Sequence, residues 1–169
     1  MSDSRTDVLH PTGWSFDPEP WRGELLAFLR RMGAASDAED IVQETFLRSV
    51  RRPPTGSARP WLYGIALNLL RDRRRADRRD DEHLPRIARR ELGRVDDPAI
   101  DVERRELADT AWQAVEQLSQ SQRAVLVMRI ERHLGYPEIA ETLGCSEATA
   151  RQHFYLGMRS VRDRLSGDS

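Results

Sequence analysis

The residues best suited to chemistry lie near the carboxyl end of the chain, where arginine, glutamine and tyrosine recur at helical spacing. Arginine can donate two parallel hydrogen bonds to a guanine edge, and glutamine can pair similarly with adenine. Arginines further along such a helix suit the phosphate backbone, which positions a protein on DNA without specifying sequence. The pattern predicts a DNA-reading face made of Ala148, Thr149, Arg151, Gln152, Tyr155, Arg159 and Arg162.

A helix-turn-helix would position that face. Pro137 suits the first turn of a helix, Gly144 can adopt the left-handed conformation that ends it, and Ser146 can cap the next helix. The sequence therefore predicts short helices over residues 137–143 and 147–165, joined by a tight three-residue turn. An ordinary helical hairpin with a solvated polar face is the alternative interpretation of the same pattern.

An earlier helix has two contrasting faces. Its start at Ser36 resembles a capping box, with Glu39 as the reciprocal partner. At 100° per residue, its inner face collects Ile41, Val42, Thr45, Phe46 and Ser49. The opposite face collects Asp40, Gln43, Glu44 and Leu47. That outer face is either solvated surface or a docking surface for another protein's helix, with Leu47 at its centre.

A third helix, starting near Pro60, leads into a basic tract at residues 71–79. Its predicted core positions are Trp61, Leu62, Ile65, Ala66 and Leu69. All 27 basic residues of the chain are arginine, and the formal net charge is −1, so a near-neutral total hides a local basic patch. The tract can bind nucleic-acid phosphate, or it can simply be solvated.

The whole pattern predicts an all-α protein of two small helical bundles joined by a flexible linker. The predicted divisions are a flexible segment 1–17, a first bundle 18–79, a linker 80–102 and a second bundle 103–166. In the second bundle, Ser119 caps a helix whose apolar run, residues 124–128, forms the buried centre. The helix before it is expected to bury Leu107, Ala111, Ala114, Val115 and Leu118.

Composition argues against several other classes. Cys145 is the only cysteine, so no internal disulfide can form. Its position in the turn indicates a small turn residue rather than a nucleophile. The four histidines lack ligand spacing, so no metal or cofactor is expected. The sequence has no membrane-length apolar run and no signal-peptide pattern. We therefore expect a soluble cytoplasmic protein that is not an enzyme.

Two separate segments resemble one family. Residues 37–48, followed by residues 59–68 and the arginine tract, resemble regions 2.1–2.2 and 2.3–2.4 of the extracytoplasmic-function (ECF) sigma factors. Residues 118–165 resemble region 4 of the same subfamily, which belongs to the bacterial sigma-70 family. The motifs occur in the correct order and spacing, so the resemblance covers most of the chain.

The resemblance implies partners and roles for the faces. It implies that Asp40, Gln43, Glu44 and Leu47 bind the β′ coiled coil of core RNA polymerase. It implies recognition of the promoter −10 element, with capture of an unstacked base, by Trp61, Asn68, Arg71, Arg74 and Arg75. The last helix would read the −35 element while region 4 touches the polymerase β flap. Many family members also bind an anti-sigma factor.

The last helix departs from the family pattern. His153, Leu156 and Met158 stand where basic residues are common in the family, so the resemblance does not fix the −35 sequence that the helix reads, and weaker phosphate anchoring is expected. The same sequence features leave two rival functions open. One is a stand-alone dimeric DNA-binding regulator, and the other is a sigma-like adaptor that no longer reads promoters.

Overall fold

The computed structural model describes residues 16–80, apart from 53 and 55, and residues 102–167. Every regular element in these ranges is helical, which confirms the predicted all-α class, and the helices form two compact units. The first unit contains α1 (Arg22–Arg31), α2 (Ala38–Ser49) and α3 (Ala58–Asp80). The second contains α4 (Val102–Glu116), α5 (Gln120–Leu126), α6 (Tyr136–Leu143) and α7 (Glu147–Gly167).

The predicted flexible segment and linker lie largely outside the described residues, which omit 1–15 and 81–101. Phe16, near the end of the predicted flexible segment, is half-buried, and its ring meets Trp61 edge to face with 5.8 Å between centroids. Helix α3 continues to Asp80 and α4 begins at Val102, so both helices reach the limits of the predicted linker.

The inner face of α2 provides much of the first unit's core. Its five predicted core residues are all buried, and α3 packs against this helix. Thr45 and Ser49 are buried without loss of hydrogen bonding, because their hydroxyls donate to the carbonyls of Ile41 and Phe46 at 2.7 and 2.8 Å. Helix α3 also buries Tyr63, which the sequence pattern did not single out.

A part-buried polar cluster joins α1 to the start of α3. One carboxylate oxygen of Glu24 accepts hydrogen bonds from Arg59 Nε at 2.6 Å and from the Tyr63 hydroxyl at 2.7 Å. The Tyr63 ring also packs on Phe28, with 4.5 Å between centroids. Charge-assisted hydrogen bonds of this kind are directional and stronger than neutral ones. The cluster therefore helps to fix the helix that carries Trp61 and Asn68.

The second unit is organised around α5 and α7. Ser119 forms the predicted capping box, with Gln122 as reciprocal partner, and the apolar run at residues 124–128 is buried as predicted. Helix α7 packs against α4, α5 and α6. Gly157 is buried against α5, where an added Cβ would lie 3.2 Å from Leu126 Cδ1.

Two sequence-based predictions are wrong. Helix α2 begins after Asp37 rather than Ser36, because the backbone N–H of Ile41 bonds to the carbonyl of Asp37, and no side chain caps it. Leu107 was expected in the core but is 64% exposed. It lies seven residues before the buried Ala114, two turns toward the start of α4, where residues 106–109 are all exposed.

Candidate nucleic-acid interface and docking face

The turn between α6 and α7 has the geometry that its residues predict. Gly144 adopts φ +64° and ψ +39°, the left-handed conformation that ends α6. The Cys145 N–H then bonds to the Ala140 carbonyl at 3.0 Å. Ser146 caps α7, because its hydroxyl accepts a hydrogen bond from the Thr149 N–H at 3.1 Å. Both helix ends are therefore satisfied within a three-residue connection, as in a helix-turn-helix.

The outer face of α7 is open to solvent. Tyr155, at its middle, is 65% exposed, and Thr149 is half-buried with its hydroxyl 2.9 Å from that of Ser146. The remaining predicted DNA-reading residues are all exposed: Ala148, Arg151, Gln152, Arg159 and Arg162. The inward face buries Ala150 and Gly157. The structure thus presents the predicted residues together on one accessible helix face.

The arginines of this face pair with acids of the same helix. Arg151 lies 3.8 Å from Glu147, and Asp163 lies 3.6 Å from Arg159 and 3.4 Å from Arg162. All of these side chains are more than half exposed, so each pair stabilises the helix by only about 0–1 kcal/mol. Pairs this weak leave the guanidinium groups available to phosphates or bases.

The predicted −10 residues on α3 divide by exposure. Asn68 and Arg75 are exposed, and Arg71 Nη1 donates to Asn68 Oδ1 at 3.4 Å, so these three share one helix face. Arg74 is half-buried, and burial lowers the pKa of its guanidinium, with the nearby charge of Arg78 as the second cause. Trp61 is half-buried beside Phe16.

The outer face of α2 combines acids with an exposed leucine. Asp40 and Gln43 are exposed, and Leu47 is 53% exposed. Glu44 is half-buried, and its carboxylate accepts a hydrogen bond from Arg48 Nε at 2.8 Å. This surface has the composition of a small docking face, because an apolar centre is surrounded by groups that can pair with a basic partner.

Two neighbours of these faces were not indicated by the sequence pattern. Arg73 Nη1 lies 3.9 Å from Asp40 and 4.0 Å from Asp37, so one arginine of the basic tract reaches the docking face. The Tyr136 ring centroid lies 4.3 Å from the Arg151 guanidinium carbon. The spacing of residues within one helix could have predicted the Glu147–Arg151 pair. The Arg73–Asp40 and Tyr136–Arg151 contacts could not be predicted in this way, because each forms only when two helices pack together.

Other kinds of site receive no support from the described part of the chain. Within it, no three His, Cys, Asp or Glu side chains gather as metal ligands would. None of its helices combines the length and the hydropathy that a membrane crossing requires.

These features define a class: a helical protein of two units, one ending in a helix-turn-helix with an open basic face. Two family models match the chain, Sigma-70 region 2 over residues 19–80 and Sigma-70 region 4 over residues 109–161. These residues contain α1 to α3, and most of α4 together with α5, α6 and most of α7.

Curated relatives narrow the class further. The chain is 33% identical to the ECF RNA polymerase sigma factor SigL of Mycobacterium tuberculosis over 146 residues, which cover 79% of this chain and 77% of SigL. It is also 33% identical to the ECF factor SigE of Mycolicibacterium smegmatis, over 83% of this chain and 56% of SigE. The chain belongs to the ECF subfamily of the sigma-70 family. It is a sigma factor that binds core RNA polymerase and promoter DNA and directs transcription initiation.

Solved structures share the fold. The Bartonella quintana sigma factor RpoE, in complex with the anti-sigma factor NepR, superposes with a TM-score of 0.71 at 18% identity. The match covers 90% of this chain and 96% of RpoE. CnrH, in complex with the cytosolic domain of CnrY, gives a TM-score of 0.61 at 24% identity, over 90% of this chain and 86% of CnrH.

Proposed function

We propose that residues 103–166 read the −35 element through the outer face of α7. The observation that carries this proposal is the exposure of Arg151 and Gln152 in the second turn of a helix that begins at a capped, tight turn. Early positions of such a recognition helix meet base edges, whereas later positions meet phosphate. Arg159 and Arg162 therefore serve as phosphate contacts. Tyr155 lies between the two groups, and Ala148 and Thr149 precede both in the first turn of α7.

For residues 18–79, we assign different partners to two helices. The acidic and apolar face of α2 binds the β′ coiled coil of core polymerase, and Leu47 contributes the apolar centre. The face of α3 that carries the exposed Asn68 and Arg75 and the half-buried Arg71 contacts the opened −10 element. Arg74 contributes charge from a half-buried position, and Trp61 supports the pocket for an unstacked base, whose extrusion costs a few kcal/mol.

The remaining roles follow from these assignments. Sigma factors are non-catalytic regulators of transcription, and this chain acts without an active site or cofactor of its own, in the cytoplasm where its polymerase works. The second unit also touches the polymerase β flap. An anti-sigma factor that holds the chain inactive would have to cover the outer face of α2, α3 or α7, since these are the surfaces that meet polymerase and DNA.

The −35 proposal is tested with holoenzyme reconstituted from core polymerase and the full chain, bound to promoter duplexes randomised through the −35 element. Arg151→Ala and Gln152→Ala should each relax preference at one position, by about 1–3 kcal/mol per paired contact. Arg159→Gln is the matched control on the same face. It should weaken binding on all sequences alike and reduce the slope of log affinity against log salt by about one. Equal losses on every sequence for Arg151→Ala would contradict base reading.

The polymerase proposal is tested by measuring the affinity of the full chain for core enzyme. The Asp40→Ala, Leu47→Ala double variant should weaken binding by more than about 1 kcal/mol, as expected for a truncated interface centre. Met158→Ala, which truncates an exposed apolar side chain on α7, is the control and should leave core binding unchanged. Wild-type affinity in the double variant, with its helical content intact, would contradict the docking face.

A further inference from the structure

The recognition helix has an aromatic neighbour that belongs to a different helix. Tyr136 opens α6, and its ring centroid lies 4.3 Å from the guanidinium carbon of Arg151 on α7. Tyr136 is half-buried, whereas the Arg151 side chain remains 60% exposed. The arginine is therefore in contact with a ring and accessible to a ligand at the same time.

The ring itself is held from two further directions. Phe154 meets Tyr136 edge to face, with 6.1 Å between centroids and 82° between the ring planes. The guanidinium carbon of Arg129 lies 4.9 Å from the same ring centroid, and Arg129 Nη1 donates to the Leu134 carbonyl at 2.9 Å. Because these contacts come from different parts of the second unit, the Tyr136 ring has a defined position before any DNA is bound.

We propose that Tyr136 is a positioning residue that holds the Arg151 guanidinium ready to read a base pair of the −35 element. An arginine packs against an aromatic ring through the face of its guanidinium. Bidentate recognition of guanine uses the N–H groups at the guanidinium edge. The two interactions are compatible, so the ring can restrict the rotamers of Arg151 without occupying its donors.

An arginine whose rotamers are restricted before binding should discriminate between base pairs better than a freely rotating one. A long side chain loses much rotamer freedom when it binds, and a residue already ordered before binding loses less. Glu147, 3.8 Å from Arg151, restrains it from the same helix but competes with DNA for the same donors. Tyr136 restrains the side chain without that competition. This inference rests on the proposed reading of the −35 element by Arg151.

The test is a double-mutant cycle in reconstituted holoenzyme, with Tyr136→Leu, Arg151→Ala and the combined variant bound to duplexes randomised through the −35 element. Tyr136→Leu should reduce preference at the position read by Arg151 by about two- to fivefold, the strength of an exposed cation–π contact. In the Arg151→Ala background it should cause no further loss of preference, since the restrained group is gone. Tyr136→Phe keeps the ring and should restore the wild-type preference.

The outcomes separate this inference from the function on which it rests. If Arg151→Ala leaves every preference intact, the assignment of base reading to Arg151 fails. If Arg151→Ala relaxes one position but Tyr136→Leu does not, only the positioning role fails. A gain of preference in Tyr136→Leu would mean that the ring withholds the arginine, and it would overturn the inference. An equal loss in both backgrounds would indicate a purely structural role and would also overturn it.

Discussion

Two of the helices that carry proposed binding faces, α2 and α7, begin in different ways. Helix α7 begins after Ser146, whose hydroxyl accepts a hydrogen bond from the Thr149 N–H. Helix α2 begins after Asp37, whose side chain makes no capping hydrogen bond. Its first turn is held instead by tertiary packing, since Ala38 and Ile41 are almost fully buried.

This difference matches the surroundings of each helix. Three residues separate α6 from α7, so the direction of the recognition helix depends on local geometry at Gly144 and Ser146. Helix α2 has a continuous buried face in the core of the first unit, so its position depends on burial. We therefore expect substitutions at the start of α7 to change mainly the turn and the first turn of that helix. Substitutions in the inner face of α2 should destabilise the whole first unit.

The largest effect should come from Ile41→Ala, which removes a fully buried side chain from α2. Truncation of a buried isoleucine costs about 2–5 kcal/mol, because burial is lost and a cavity remains. Urea unfolding, followed by amide hydrogen exchange in α2, measures the change. Leu47→Ala on the exposed face of the same helix is the matched control and should change stability by less than about 0.5 kcal/mol. An equal loss of unfolding free energy in Ile41→Ala and Leu47→Ala would show that packing does not position α2.

A somewhat smaller effect is expected for Gly157→Leu, where α7 approaches α5. An added Cβ would lie 3.2 Å from Leu126 Cδ1 and 3.5 Å from Gln122 Cβ, so a longer side chain must push the helices apart. Overpacking of this kind costs about 1–3 kcal/mol. Hydrogen exchange in α5 and α7 should increase. Met158→Leu, at the exposed neighbouring position, is the control. If hydrogen exchange in Gly157→Leu is as slow as in Met158→Leu, the close approach of α7 to α5 is contradicted.

The smallest effects test the helix starts directly. Ser146→Ala removes the cap of α7 and should destabilise the second unit by about 1 kcal/mol. Asp37→Ala removes no capping hydrogen bond, only an exposed pair with Arg73 at 4.0 Å, and should cost less than about 0.5 kcal/mol. Thermal unfolding of both variants gives the comparison. A larger loss in Asp37→Ala than in Ser146→Ala would reverse the distinction between the two helices.

Periodicity and capping residues predicted much of the fold. The buried face of α2, the Ser119 capping box and the Gly144 turn could be predicted because each depends on residues close together in sequence. Leu107 was misplaced because a helical pattern cannot show where a neighbouring helix stops covering it. Ser36 was misplaced because Asp37 and Ser36 are both suitable caps, and the backbone hydrogen bonds decide between them.

The sequence by itself determined the helical class, the family and most residues of the exposed faces of α2 and α7, because these depend on residue type and on spacing within single helices. Only the tertiary structure decided that Tyr136 contacts Arg151 and that Arg73 contacts Asp40. Each of these contacts joins two helices, and its formation depends on how their cores pack. Packing therefore decided which exposed side chains are restrained before a partner arrives.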